Sequence, residues 1–348
     1  MATGGNALSR GTVRAPRPGA RALVPGLLLL LAALVGCDQP PETELRLRVG
    51  YPDIPSTLLI YVAQDQRLFD AEHLRVESKV YPTGREALAA AIGGDLDAAV
   101  VYSTPLVLAA MHGEDLVVLS TLHRSDGLTG LAVNPQAGIR TAADLRGRRI
   151  GVTPGTSSQL ALDVVLAESG LEPGDVRPVP GQPRDLMAAL EAGKLDAASL
   201  WVPNLLVATE PGKARLLASE VYAEMSMLAG MRPRIESRRM ETRRFLRALL
   251  RAQGMVRRRP QLVESTLRPR FPQLSEAQLA TIISHSRFEV GLSNLLLSTL
   301  RQEGAWLEQR GEPRAERIRL RDVLAPGLLE ELSPESVTLL RAPERPLP

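Results

Sequence analysis

Two stretches of the chain, "GDLDAAVVYSTP" at residues 94–105 and "GKLDAASLWVPN" at residues 193–204, are near copies of each other. Extending the match back to Arg85 and Arg184 gives fifteen aligned positions at a constant offset of 99, of which eight are identical. Internal similarity of this kind indicates that one structural plan is used twice. The repeat therefore predicts two similar units about a hundred residues apart in the chain.

The segments around each copy alternate between strand-like and helix-like patterns. Strand patterns occupy residues 45–50, 74–80, 97–102, 148–152, 175–181 and 196–201. Helix patterns occupy residues 57–69, 85–94, 159–170 and 184–193. Strands that alternate with amphipathic helices predict parallel sheets covered on both faces, with right-handed crossovers. We therefore predict an α/β protein with two Rossmann-like lobes that face each other across a cleft.

The composition excludes some classes of protein. The chain has 348 residues, of which 44% are hydrophobic, so it can build a substantial core in one large or two ordinary domains. Its formal charge of +3 falls to about −1 when residues 1–36, which hold four arginines and no acid, are left out. A charge this near balance removes the main support for nucleic-acid binding, and we expect no nucleic-acid partner.

The N-terminal segment is typical of a targeting signal. An apolar run at residues 23–35 follows several arginines and is short for a membrane span. Cys37, the only cysteine, comes directly after it, as in a bacterial lipoprotein signal. This predicts that residues 1–36 are a signal peptide, that Cys37 is lipidated, and that residues 37–44 form a tether. Asp38 resembles a signal for retention at the inner membrane; the alternative is an ordinary secretory signal near a cysteine.

Polar and aromatic side chains follow the predicted strands at the ends where ligands bind. In open α/β sheets, ligands lie beyond the carboxyl ends of the strands. We predict a ligand site for a small polar molecule, rimmed by hydroxyls and a few aromatic rings. Its candidate residues are Asp53, Ser56, Tyr102, Ser103, Thr104, Ser125, Thr156, Ser157, Ser158 and Trp201.

The stretch "PGTSS" at residues 154–158 points to the charge of the ligand. Gly155 permits a tight turn, and the hydroxyls that follow can begin a helix. Free backbone N–H groups and the helix dipole at such a start favour an anion, such as a carboxylate, sulfonate or phosphate. The alternative is that these hydroxyls only cap the helix.

Two pairs of matched residues in the repeat have different expected roles. Tyr102 and Trp201 end the repeated strands, where each could face the cleft or belong to the core. Asp97 and Asp196 lie at the opposite ends of those strands, away from the cleft. We therefore expect the two aspartates to bond turn amides and to take no part in catalysis.

Several elements in order resemble the periplasmic substrate-binding proteins of ABC importers for sulfonates, taurine, nitrate and thiamine pyrimidine precursors. The elements are "LIYVAQDQRLF", "G-x-L-D-A-A" followed by "STP", "TAADLRGRRIGVTPGTSS" and "GKLDAASLWVPN", and the resemblance spans about 45–333. It implies a type 2 periplasmic binding fold, in which lobes joined by two crossover segments close on the ligand. It further implies a first lobe of residues 45–126 plus 216–340, a second lobe of residues 127–215, and a disordered tail at 341–348.

The resemblance implies a lipid-anchored, extracytoplasmic solute-binding protein. As a monomer without cofactor, it would deliver a small polar, anionic molecule to a permease and its ATPase. One alternative is a ligand-sensing lipoprotein. Another is an enzyme similar to a pyrimidine-precursor synthase, but the four histidines have no metal-ligand spacing and no GxxxxGK[ST] phosphate loop occurs. We therefore expect neither catalytic residues nor a metal site.

One region carries a charge excess that this function does not explain. Residues 232–270 contain thirteen arginines and three glutamates. The excess could reflect a solvated helix face, or it could hold the protein near anionic lipid or an acidic permease loop.

Overall fold

The computed structural model describes residues 45–218, 223–313 and 319–340. The predicted signal peptide, tether, lipidation site Cys37 and C-terminal tail lie outside the described residues. The strands are β1 Leu45–Pro52, β2 Leu74–Tyr81, β3 Ala98–Tyr102, β4 Leu116–Ser125, β5 Thr129–Val133, β6 Arg149–Val152, β7 Arg177–Pro180, β8 Ala197–Trp201, β9 Arg215–Ala218, β10 Glu224–Met231, β11 Ser286–Ser293 and β12 Val337–Thr338.

The helices follow the strands in the alternation that the sequence predicts, and a helix-rich segment comes after β10. They are α1 Leu58–Asp65, α2 Gly84–Ile92, α3 Ser103–Met111, α4 Ser157–Glu168, α5 Pro183–Glu191, α6 Asn204–Ala208, α7 Arg232–Ser237, α8 Arg239–Arg258, α9 Gln261–Leu267, α10 Glu276–Ser284, α11 Asn294–Gln309 and α12 Gly327–Leu332. No helix among the described residues is both long enough and apolar enough to cross a membrane.

The strands form two sheets of the same design. The large sheet has the order β12-β11-β4-β10-β3-β1-β2, and the small sheet has the order β7-β6-β8-β5-β9. In each sheet, three parallel strands (β2-β1-β3 and β7-β6-β8) are followed by an antiparallel strand, β10 or β5. The prediction of two similar α/β units is thus confirmed.

The chain passes between the sheets twice. It leaves the large sheet after β4 and enters the small sheet at β5, and it returns between β9 and β10. Each sheet therefore receives its antiparallel strand from the segment that crosses from the other sheet. The residue limits predicted for the two lobes stay a prediction.

One predicted helix is shorter than the pattern suggested. The pattern at 57–69 predicts a single helix, but α1 ends at Asp65. Arg67 adopts a left-handed conformation with φ 51°, and His73 does the same with φ 49°. Such residues are not compatible with a continuing right-handed helix, so the chain turns here toward β2.

Each sheet is covered by apolar residues on both faces, as parallel strands require. The large sheet packs against α1, α8 and α11, where the Phe69 and Phe245 rings stack at 4.9 Å. The small sheet has a cluster on either face, one including Ile150 and Val165 and the other including Leu186 and Leu200. The strand ends are therefore held rigidly at the edge where the two sheets meet.

Candidate functional site

Residues from both sheets line a crevice at the carboxyl ends of the parallel strands. The space inside it that a water-sized sphere can enter is about 20 Å³, little more than one water molecule needs. The walls are therefore nearly in contact. The lining residues are Pro52, Ile54, Thr83, Gly84, Arg85, Tyr102, Pro105, Thr156, Ser157 and Trp201.

Four of the ten predicted site residues lie in this crevice. Tyr102 comes from the large sheet, and Thr156, Ser157 and Trp201 come from the small sheet. Burial and the nearby Glu224 carboxylate raise the pKa of the Tyr102 phenol above its ordinary value, so this hydroxyl keeps its proton. The two matched aromatic residues of the repeat thus line the same space. Whether any of the four contacts a ligand stays a prediction.

Helix α4 begins at the crevice in the way its sequence suggests. Thr156 is its N-cap: Oγ1 accepts a hydrogen bond from the Ser158 amide at 3.3 Å and donates one to the Thr153 carbonyl at 2.7 Å. Gly155 has φ 66°, a conformation that side chains rarely adopt. A Cβ atom there would lie 3.2 Å from Leu108 of helix α3, so glycine also permits the close approach of the two walls.

Three other predicted residues, Asp53, Ser125 and Ser158, are not among the residues that line the crevice. Ser158 Oγ donates to the Ser199 carbonyl at 2.8 Å and thereby ties α4 to β8. Asp53 is exposed and accepts a hydrogen bond from the hydroxyl of the buried Tyr61 of α1 at 2.6 Å. Ser125 is buried inside the large sheet, at the end of β4.

The last three predicted residues, Ser56, Ser103 and Thr104, are buried close to Tyr102 and do not line the crevice. Ser103 Oγ donates to Glu303 Oε1, and the Thr104 hydroxyl is buried close to the same carboxyl group. The Ser56 hydroxyl is buried beside Tyr102 and has no well-formed hydrogen bond to any described residue. These hydroxyls face the protein interior, and their contact with a ligand remains a prediction.

A buried carboxyl group lies beneath the start of α3. Glu303 is 3% exposed, and its Oε2 atom has no well-formed hydrogen bond to a described residue. Burial raises the pKa of Glu303 to about 7, the Glu224 carboxylate acts in the same direction, and the hydroxyls of α3 oppose it. Because Ser103 and Thr104 precede Glu303 by about two hundred residues, no local pattern could have shown this cluster.

The sequence interpretation placed helix α2 within one residue of its start but missed that this start lines the crevice. Thr83, Gly84 and Arg85 line the crevice, and Thr83 forms a capping box with Glu86. The residues "TGRE" carry the T-x-x-E signature of such a box, so the cap could have been recognised. Arg85 brings a permanent positive charge to the crevice.

Several hydrogen bonds join the two sides of the crevice. Arg85 Nη1 donates to the Pro154 carbonyl at 2.8 Å, and Gln182 Nε2 donates to Glu86 Oε1 at 3.0 Å. Between the sheets, Thr129 Oγ1 of β5 donates to Glu224 Oε2 of β10 at 2.8 Å. These three contacts are polar, and two of them involve exposed side chains.

A further contact between the two sides involves Asp163 of α4. Trp306 Nε1 donates to Asp163 Oδ2 at 3.1 Å, and the Arg310 guanidinium donates to the same oxygen. Burial raises the pKa of the Asp163 carboxyl, while both donors act to lower it. This contact links α11 to the small sheet independently of the crevice.

The repeated aspartates do not lie in the crevice. Asp97 accepts a hydrogen bond from the Arg48 amide at 2.8 Å, and Asp196 accepts one from the Arg149 amide at 2.7 Å. Hydrogen bonds from these arginines help to hold the pKa of each carboxyl below its usual value, against the effect of burial. The expected structural role is confirmed, although the amides belong to neighbouring strands and not to the turns.

The described residues contain no group of three or more His, Cys, Asp or Glu side chains that could hold a metal ion. The crevice lining offers backbone amides, hydroxyls, two aromatic rings and one guanidinium.

Comparison with known proteins places this architecture in a family. The NMT1/THI5 like family model matches residues 54–262, more than half of the chain, and the chain belongs to this family. A provisionally named aliphatic sulfonates-binding protein of Escherichia coli is 29% identical over 196 residues, 55% of this chain and 59% of that protein. The chain thus spans less than two thirds of the length of the curated relatives that it matches.

Solved structures share the fold. The alkanesulfonate-binding protein SsuA of Xanthomonas axonopodis pv. citri, bound to MOPS, matches with a TM-score of 0.70 and 23% identity. The match covers 80% of this chain and 98% of SsuA. The chain therefore has the predicted two-lobed fold of type 2 periplasmic binding proteins. The desulfurization enzyme DSZB also matches, with a TM-score of 0.65 and 19% identity over 84% of this chain and 99% of the enzyme.

Proposed function

We propose that the chain is a solute-binding protein that holds a small anion of the sulfonate class in the crevice and delivers it to an ABC importer. The observation that carries the proposal is the convergence of three helix starts and one arginine on a single space. The Gly84 end of α2, Tyr102 before α3 and Ser157 of α4 all line that space, together with Arg85.

This arrangement suits a negative charge. Each helix start contributes backbone N–H groups and the positive end of a dipole. The Arg85 guanidinium can donate two hydrogen bonds to a tetrahedral anion, and it now donates to a neutral carbonyl, that of Pro154. Tyr102 and Trp201 can cover an apolar substituent on the ligand.

The sulfonate class is favoured by the relatives. An aliphatic sulfonates-binding protein and an alkanesulfonate-binding protein are among those that resemble this chain. Nitrate and pyrimidine precursors are the alternative ligand classes that the binding test below compares with sulfonates.

Binding would proceed by closure of two lobes, of residues 45–126 plus 216–340 and of residues 127–215. Opening would separate Arg85 from Pro154 and Gln182 from Glu86, two exposed contacts that are replaceable by water. Rigid lobes with hinges in the crossing segments allow this motion without loss of either core.

The predicted lipid anchor completes the proposal. Removal of residues 1–36 and lipidation of Cys37 would hold the protein on the extracytoplasmic face of the membrane, near its permease and ATPase. Asp38 would favour the inner membrane, and we propose a monomer.

A second candidate function comes from the fold's likeness to a desulfurization enzyme. We favour binding without catalysis, because the crevice lining contains no cysteine, histidine or carboxylate to act as nucleophile or base. Incubation with an alkanesulfonate or aromatic sulfinate should release no sulfite, and steady release of sulfite would establish an enzyme.

Thermal unfolding of the chain from residue 38 tests the binding proposal, with alkanesulfonates, taurine, nitrate and aminopyrimidines as ligands. A ligand that binds only the folded form raises the melting temperature. We expect a rise with an alkanesulfonate and a loss of affinity of about tenfold or more in Arg85→Gln, since hydrogen bonds to charged groups contribute about 1.5–3 kcal/mol.

Arg184→Gln is the matched control. Arg184 stands at the equivalent position of the repeat and is exposed at the start of α5. Affinity should be unchanged in this variant. Equal losses in both variants would contradict the site, and no rise with any anion would contradict the ligand class.

A further inference from the structure

Helix α8 has one face in the core and one face of arginines. Phe245, Leu246 and Leu249 are fully buried against the large sheet. The opposite side, together with the residue that follows the helix, forms what is named here the arginine face. It consists of the eight residues Arg239, Arg243, Arg244, Arg247, Arg251, Arg257, Arg258 and Arg259.

Acidic side chains compensate only part of this charge. Glu72 accepts from Arg247 at 2.9 Å and from Arg251 at 3.1 Å. Glu331 pairs with Arg239 and lies 3.8 Å from Arg243. Two carboxylates thus serve four guanidiniums, and the face keeps a strong positive excess.

The remaining arginines pair with no carboxylate among the described residues. Arg244 donates to the backbone carbonyls of Glu72 and His73, at 3.0 and 3.1 Å. Arg257, Arg258 and Arg259 are exposed, and none of them has a side-chain hydrogen bond or ion pair to a described residue. These three are therefore free to bind an external anion.

A polar groove adjoins the free arginines. It has a volume of about 660 Å³ and lies between the C-terminal half of α8, strand β11 and the segment around β12. Arg257 and Arg258 line it beside the hydroxyl-bearing residues Ser293 and Ser336, and two carboxylates, Glu289 and Glu335, are also on its wall. The groove has the polarity and size to receive a charged headgroup.

The described chain begins next to this face. Leu45, the first residue of β1, pairs with Leu74 of β2. The carbonyl of His73, the residue before Leu74, accepts a hydrogen bond from Arg244. Cys37 lies eight residues before Leu45, a distance of at most about 30 Å when the chain is extended. A lipid on Cys37 would therefore keep this end of the molecule close to the membrane.

We propose that the arginine face docks on the anionic headgroups of the membrane that holds the lipid anchor. Each basic residue near an anionic lipid surface strengthens binding to the membrane, and a guanidinium group can form a bidentate pair with a phosphate. The position of the chain start favours lipid over an acidic protein as the occupant. The proposal rests on the proposed anchor, but it is independent of which ligand the crevice binds.

Vesicle sedimentation tests the proposal with the chain from residue 38, which contains every described element and lacks the lipid. We expect binding to phosphatidylcholine vesicles that contain phosphatidylglycerol, little binding to phosphatidylcholine alone, and loss of binding at high salt. The triple variant R257Q/R258Q/R259Q should bind the anionic vesicles on the order of a hundredfold more weakly.

The matched control removes three exposed cations from the other lobe. R177Q/R184Q/K194Q lowers the net charge equally, and these side chains also have no partner among the described residues. Its vesicle binding should equal that of the parent chain. Equal weakening in both variants, no binding to anionic vesicles, or equal binding to neutral ones would overturn the proposal.

Two further measurements separate the alternatives. If immobilised polyglutamate captures the chain through these arginines and anionic vesicles do not, an acidic protein is the partner and the lipid proposal is wrong. The ligand-induced rise in melting temperature, measured on both triple variants, reports on the crevice separately. It should persist in both, so failure of one proposal is distinguishable from failure of the other.

Discussion

The two copies of the repeat agree along their strands and differ directly after them. Behind Tyr102, α3 begins with Ser103 and Thr104, whose hydroxyls face the buried Glu303. Behind Trp201, the corresponding residues are Val202, which packs in the hydrophobic core, and Pro203. The same strand end thus leads to a polar cluster after β3 and to apolar packing after β8.

The aspartates that precede the repeated strands show the opposite relation. Asp97 and Asp196 have the same role, but their surroundings differ. Asp97 binds the amide and side chain of Arg48 and also the side chain of Arg234. Asp196 binds only Arg149 in the corresponding way and is more exposed, at 18% against 2% for the side chain. The repeat therefore encodes the strand and the aspartate that binds the neighbouring strand. The residues around each aspartate decide how much it contributes to stability.

The largest difference between the copies should be in stability. Asp97→Ala leaves a buried amide and two arginines without their partner, so we expect a loss of about 3 kcal/mol in the free energy of unfolding. Asp196→Ala, the matched variant, should lose about 1–2 kcal/mol because water can reach its site. Urea unfolding of both variants measures the difference, and equal losses would show that burial does not distinguish the two anchors.

The buried carboxyl group of the first lobe should make stability depend on pH. The folded-state pKa of Glu303 is raised to about 7, so folding favours its protonated form. This stabilising contribution is complete below the unfolded pKa and declines as pH rises toward 7. Glu303→Gln should therefore match the parent chain near pH 5 and exceed its stability at pH 8 by roughly 3 kcal/mol, since one pKa unit corresponds to about 1.4 kcal/mol.

Glu168→Gln, which removes an exposed carboxyl group at the end of α4, is the control for that measurement. Thermal unfolding at both pH values should show no comparable gain at pH 8. If Glu303→Gln is less stable than the parent chain at pH 8, the carboxylate is stabilised in the folded state and the stated sign is wrong.

The smallest expected effect concerns the two matched aromatic residues. Trp201→Ala should weaken alkanesulfonate binding about tenfold, because it removes the apolar area that the ring would bury against the alkyl group, which contributes about 25 cal/mol per Å². Tyr102→Phe should weaken it only a few-fold, since it removes one neutral hydrogen-bond donor and keeps the ring. Calorimetric titration measures both changes, and a larger loss in Tyr102→Phe would make the phenol a principal ligand contact.

Several predictions from sequence succeeded because their cause is local. The alternation of strand-like and helix-like patterns correctly predicted both α/β units, and the stretch "PGTSS" correctly predicted the cap of α4. Tyr102 and Trp201 line one crevice, which is one of the two positions that the sequence left open for them, because each ends a strand where its sheet faces the other sheet. The length of α1 was wrong because the left-handed turn at Arg67 interrupts an apolar pattern that continues.

The sequence by itself determined the duplicated α/β plan, the strand-end location of the crevice and the capped start of helix α4. These follow from side-chain periodicity and turn chemistry, which act over a few residues. Only the tertiary structure decided that Ser103 turns inward to Glu303 and that Arg85 reaches the carbonyl of Pro154. Those contacts join residues 200 and 69 positions apart, and the packing of whole lobes, not any local pattern, brings them together.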